Sequence, residues 1–109
     1  MTSEKPSCVK ASSEVAVFIS SLRQGSYLLK IIDAGLDALK LNMFGGERIE
    51  RKKYPRYYVR KYGVNNLFKF NLDSKTRLIY TLVAEETGVA LVILEVLDHK
   101  KYEERSGYR

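Results

Sequence analysis

The stretch Asn66–Val83, NLFKFNLDSKTRLIYTLV, decides the fold. Phe68, Phe70 and Leu72 alternate with Leu67, Lys69 and Asn71; after a polar interruption, Leu78, Tyr80 and Leu82 alternate with Arg77, Ile79 and Thr81. A period of two is that of a strand, whose successive side chains point to opposite faces. A three-residue loop of Asp73, Ser74 and Lys75 sets Leu72 opposite Thr76, Phe70 opposite Leu78 and Phe68 opposite Tyr80, which keeps the large side chains together. A loop one residue longer would turn the two strands' faces against each other. The same register gathers Lys69, Asn71 and Arg77 on the face away from the large aromatics.

The next apolar run, GVALVILEVLD over 88–98, predicts a third strand, nearly continuous in its apolar content and therefore covered on both sides. Glu95 interrupts it; by period two this carboxylate shares a face with Leu97 and His99. Toward the amino terminus the period changes to that of a helix. Val15, Phe18, Ile19 and Leu22 mark a first helix that Gln24, Gly25 and Ser26 interrupt. Leu29, Ile32, Leu36, Leu39 and Met43 form the apolar stripe of a second, with Lys30, Asp33, Asp37 and Lys40 on its polar side and Gly45 and Gly46 beyond its end. Helices first and a strand meander after predict an α+β fold: an amino-terminal helical hairpin packed on a small, mainly antiparallel, twisted sheet. The chain of 109 residues reads as one domain, 1–109, with residues 1–11 expected to be mobile or weakly structured.

Between helices and strands lies ERIERKKYPRYYVRKYGVNN. From Arg48 to Lys61 it carries seven Arg or Lys residues against one glutamate, interleaved with Tyr54, Tyr57 and Tyr58 and followed by Tyr62. Cations neutralise phosphates and aromatic rings stack on unpaired bases, so Arg51, Lys52, Lys53, Arg56, Arg60 and Lys61 are candidate RNA or phosphate contacts. The alternative is a solvated loop or a short helix after Pro55, with the tyrosine rings docked on the core. A formal charge of +6 favours a polyanionic partner. The single cysteine, Cys8, has no second cysteine to oxidise against and no Cys/His cluster for zinc. The start MTSEKPSCVK lacks a signal peptide's apolar core, and no apolar run is long enough to cross a bilayer, so a cytoplasmic protein without a membrane partner is expected.

NLFKFNLDSKTRLIY, the apolar strand after it and LDHKKYEERSGY together resemble the RelE/ParE superfamily of bacterial and archaeal toxins from toxin–antitoxin pairs. The helical pair and the basic PRYYVRKYG segment fall in the same order, so the resemblance extends over nearly the whole chain. It implies a compact sheet with helices packed on one side. In the RelE branch it implies a ribonuclease that cuts messenger RNA on the ribosome by 2′-hydroxyl attack on the adjacent phosphate, with no metal or other cofactor. A cognate antitoxin protein is the further partner implied. The strand arginine of the family falls on Arg77 and the lysine of the preceding strand on Lys69. Asn71 stands where several relatives carry a second lysine. The carboxyl-terminal cluster falls on His99, Lys100, Lys101 and either Tyr102 or Tyr108.

Chemistry alone gives these residues compatible roles. A histidine accepts and donates protons near neutrality, and the planar fork of Arg77 suits two phosphate oxygens at once. Lys69 supplies a second charge, and Lys100 and Lys101 add to the phosphate-holding set. Glu95 is either a base for the 2′ proton or the counter-ion of Lys69 or Arg77. The candidate catalytic set is thus Arg77, His99, Lys69, Tyr102 and Tyr108. Two other readings stay open: the ParE branch, which inhibits DNA gyrase and needs no nuclease residues, and a relative that binds RNA or protein and cuts nothing.

Overall fold

A computed structural model describes residues 4–105, excepting the side chains of His99 and Arg105. It is a mixed α+β fold built on a five-stranded sheet of order β1-β5-β4-β3-β2. The strands are β1 (Cys8–Ala11), β2 (Glu47–Arg48), β3 (Phe68–Asn71), β4 (Thr76–Glu85) and β5 (Gly88–Asp98). The helices are α1 (Ser13–Ser20), α2 (Tyr27–Leu41), α3 (Arg56–Tyr62) and α4 (His99–Arg105), with a 3-10 turn at Arg51–Lys53. All neighbouring strands run antiparallel except β1, which lies parallel to β5. Among the described residues no helix is long and apolar enough to cross a membrane.

The β3–β4 hairpin has the register expected from its alternation: Phe68 pairs with Tyr80, Phe70 with Leu78 and Asn71 with Arg77. Its loop is fixed by the Asp73 carboxylate. One oxygen accepts from the backbone N–H groups of Lys75 and Thr76 at 2.8 and 2.7 Å, and the other accepts from the Tyr27 hydroxyl at 2.9 Å. β5 lies inside the sheet between β1 and β4, and its apolar side chains enter both layers. Opposite Ile79 and Tyr80 it carries a bulge, with Glu95 and Ile93 as partners and Leu94 as the extra residue. A bulge resets alternation. Val96 consequently joins the first core cluster and Leu97 the second.

Two expectations need correction. Residues 8–11 do not belong to a weakly structured terminus: Cys8–Ala11 pair with Ala90–Ile93, and Ser7 and Ser12 donate to the carbonyls of Val89 and Ile93 at 2.8 and 2.9 Å. The outer edge of β5 presents a row of backbone groups that a short segment satisfies whatever its side chains, and four residues are too few to show a period. Nor are the helices confined to one side. On the first face, Val15 of α1 and Leu39 of α2 bury against Phe68, Leu78, Tyr80, Leu91 and Ile93. On the second, Tyr58 of α3 and Tyr102 of α4 pack with Ile49, Leu67, Ile79, Leu94 and Leu97.

Three of the four helices start where the sequence provides a side-chain cap, and α3 starts after Pro55 without one. The Ser12 hydroxyl accepts from the Val15 N–H, the Ser26 hydroxyl from that of Leu29, and the Asp98 carboxylate from that of Lys101 at 2.7 Å. The stripe of α2 is buried as its period predicts, with Ile32 and Leu39 wholly inside, although the helix closes at Leu41 rather than running to the glycines. Those glycines have another use. A Cβ at Gly46 would lie 2.8 Å from the Lys69 carbonyl oxygen and the Tyr80 ring, so only glycine allows this approach. There the buried Tyr80 hydroxyl donates to the Met43 carbonyl at 2.7 Å and accepts from the Gly46 N–H at 3.1 Å.

Candidate functional site

The second face brings together groups far apart in the chain. β3 supplies Lys69, β4 supplies Arg77 and α4 supplies Tyr102. The Arg77 guanidinium carbon lies 5.0 Å from the centroid of the Tyr102 ring, and the Lys69 ammonium lies 5.6 Å from the same centroid. Cations at this range are attracted by the ring's quadrupole. Their mutual placement follows from the hairpin register: Lys69 opposes Ile79, two residues along β4 from Arg77 on the same face. Asn71 is exposed directly opposite Arg77.

β2 adds a carboxylate that the sequence reading passed over. Glu47 opposes Lys69 in the ladder, and its Oε2 lies 3.7 Å from the Lys69 Nζ. The Lys69 side chain is 23% exposed and that of Glu47 72%, so this pair sits at the rim of the cluster. Burial pushes the Tyr102 hydroxyl above its ordinary pKa; the Arg77 charge opposes the rise and the Glu47 charge adds to it. The phenol therefore keeps its proton at neutral pH. Among the described residues Arg77 makes no ion pair, which leaves its guanidinium edge available to an anion while its carbon faces the ring. The arrangement thus holds a fixed cation, a second cation beside a carboxylate, and a protonated phenol.

Other candidates are distributed differently. His99 opens α4 immediately after Asp98, and its side chain lies outside the described residues, as does Tyr108. Glu95 lines a cleft with Phe18, Leu28 and Lys101, at the edge of β5 past the last β1 pair. The carboxylate that faces Lys69 is Glu47. Lys101 belongs to that same cleft, so α4 directs Tyr102 and Lys101 to different surroundings; Lys100 is exposed.

The tyrosine-rich segment is the short helix after Pro55 with docked rings. Arg56 and Arg60 are exposed on α3, and Arg51, Lys52 and Lys53 on the 3-10 turn, where Glu50 faces both lysines at 3.7 and 4.0 Å. Lys61 is committed internally. It pairs with Glu14 of α1, donates to the Tyr57 hydroxyl at 3.1 Å, and lies over the Tyr57 and Tyr62 rings. The Glu14 carboxylate, and after it the Tyr57 hydroxyl, raise its pKa above the ordinary lysine value.

Only long-range pairing could have revealed Glu47, because β2 is two residues long. Comparisons of the chain with family models, with curated proteins and with solved structures gave no match.

Proposed function

We propose that this protein is the toxin of a toxin–antitoxin pair and acts as a metal-independent, ribosome-dependent messenger RNA endonuclease. The observation that carries this reading is the convergence of Lys69 and Arg77 on the ring of Tyr102, beside Glu47. The sequence resemblance to RelE-type toxins points the same way.

The chemistry assigned to these groups is 2′-hydroxyl attack on the adjacent phosphorus. Arg77 and Lys69 hold the phosphate and offset the charge that develops on its non-bridging oxygens. Glu47 takes the 2′ proton, the new O2′–P bond forms, and the P–O5′ bond breaks. The departing 5′ oxygen receives a proton from the Tyr102 phenol or from His99. The products are a 2′,3′-cyclic phosphate and a 5′-hydroxyl end. The exposed cations of the 3-10 turn and α3, on the same side of the sheet, hold the RNA backbone. An acidic antitoxin covering this face would silence it.

Expression of the native chain alone, beside Arg77→Ala, tests the reading. The native chain should stop growth with ribosome-bound messages cut inside codons, and the variant should do neither. Arrest with DNA damage and intact messages would replace the nuclease by a gyrase inhibitor, a branch favoured by Asn71 standing where a second lysine would strengthen catalysis. No arrest would leave a non-cutting binder.

A further inference from the structure

Beyond the outer edge of β2 lies a second, smaller recess that the proposed reaction does not use. Its volume is about 280 Å³ and it is lined by Arg48, Ile49, Glu50, Arg51, Tyr54 and Asn65. That is near the lower bound of small-ligand sites, about 300 to 1,000 Å³, and suits a single small unit. Ile49 is buried and forms an apolar floor, its N–H bonded to the Leu67 carbonyl at 2.9 Å. The half-buried Tyr54 is anchored by its hydroxyl, which donates to the Asn65 carbonyl at 3.4 Å. Glu50 is turned to Lys52 and Lys53. Arg48 and Arg51 are exposed and make no ion pair among the described residues.

The Asn65 amide is oriented by a chain of hydrogen bonds. Asn66 takes the place of a strand neighbour for Leu82: its Oδ1 accepts from the Leu82 N–H and its Nδ2 donates to the Leu82 carbonyl, both at 2.8 Å. The Leu82 N–H can only donate, so it fixes which end of the Asn66 amide is oxygen. The Asn66 Nδ2 also donates to the Asn65 Oδ1 at 2.8 Å, which fixes the Asn65 amide in turn. The Asn65 Nδ2 is left with both hydrogens unused among the described residues.

The recess therefore offers two guanidinium forks and an aromatic ring held in place, and counts Asn65, whose amide keeps unused donors, among its lining residues. Forks bind phosphate oxygens in pairs, a ring accepts a base face, and an amide hydrogen-bonds a base edge. We propose that this recess is a subsite for one nucleotide of single-stranded RNA, with Arg48 and Arg51 on its phosphate and Tyr54 and Asn65 on its base. The inference rests on the messenger-cleavage reading and extends it. β2 contributes Glu47 to the Lys69 cluster and the next residue, Arg48, to the recess, whose Ile49 and Tyr54 belong to the same second-face core as Tyr102, so the two sites adjoin along one edge of the sheet.

The test is a fluorescence-anisotropy titration of the isolated full chain with a labelled short oligouridylate over a series of salt concentrations. Arg48→Ala/Arg51→Ala should weaken binding about tenfold or more and lower the slope of log affinity against log salt by about 1. Lys30→Ala/Lys40→Ala, which removes the same charge from the far side of α2, should weaken it less than about threefold. Equal losses in the two double variants, or no loss in the first with its circular dichroism unchanged, would overturn the subsite. Message cleavage by Arg77→Ala is scored separately. If that variant still cuts, the nuclease reading falls while the subsite stands on its titration; if the Arg48/Arg51 variant binds RNA like the native chain, the reverse holds.

Discussion

The two faces of the sheet are covered by different chemistry. On the first, α1 and α2 deliver Val15, Ile19, Leu36 and Leu39 onto Leu78, Leu91 and Ile93, with Tyr80 the polar exception. On the second, α3 and α4 cover the sheet with Tyr57, Tyr58, Tyr62 and Tyr102, and cations rest on several of those rings. Aliphatic packing gives stability without presenting anything to solvent. Tyrosine packing buries a large ring as well, but it leaves polar edges and held cations at the surface. Both faces bury a core, with Leu39, Leu78 and Leu91 on the first and Tyr58, Leu67 and Ile79 on the second, and the second adds cations held over tyrosine rings at its rim.

This contrast fails if truncation on the two faces has similar consequences. Leu39→Ala, at a wholly buried position, should cost about 2 to 5 kcal/mol in denaturant unfolding. Arg77→Ala should change stability by less than about 1 kcal/mol, the usual range for a partly exposed contact, yet reduce message cleavage about 100- to 1,000-fold. An Arg77→Ala variant that loses as much stability as Leu39→Ala would make the guanidinium a structural prop.

Tyr80→Phe tests the polar exception. It strips the Met43 carbonyl and the Gly46 N–H of their buried partner and should cost about 1 to 3 kcal/mol, measured by thermal or urea unfolding. Tyr102→Phe sharpens the second face. The ring under Lys69 and Arg77 is kept and only the hydroxyl is lost, so stability should hold. If the phenol protonates the leaving oxygen, cleavage should drop by about 100-fold; unchanged cleavage would assign that proton to His99.

The smallest effect expected is on pH dependence. The Asp73 carboxyl is held below its ordinary pKa, first by the Lys75 N–H and then by the Tyr27 hydroxyl. A carboxyl depressed in the folded state contributes stability above the unfolded value of about 4 and loses it as pH falls through the folded value. Stability should therefore decline below about pH 4, and Asp73→Asn should flatten that decline. An identical acid limb in the variant would show that the β3–β4 loop does not depend on this charge.

Much of the architecture is legible in the order of the residues. The β3–β4 register followed from where Phe68, Phe70, Leu78 and Tyr80 must lie, because a slip by one residue exposes all four. The α2 stripe and the interior position of β5 followed likewise from period and apolar run. Less of the site was legible. Lys69 and Arg77 could be put on one face from the register alone, but their meeting at Tyr102 depends on how α4 turns back over the sheet. Glu95 keeps the face it shares with Leu97, because the bulge at Leu94 falls before it, but the carboxylate placed against Lys69 is Glu47. β1 and β2 were missed because such short strands exist only through the partners that complete their ladders.

Local residue patterns account for the periodic part of the molecule: the α2 stripe, the central hairpin and its register, the basic and aromatic character of residues 48–62, and the presence of Lys69 and Arg77 on one face. Contacts across the fold set the rest: β1 closes the edge of β5, helices cover both faces, Glu47 faces Lys69, and Tyr102 carries both cations. Range separates the two. Side-chain alternation is written in neighbouring residues, whereas ladder completion and ring–cation contact join residues tens of positions apart, and only the folded chain brings those together.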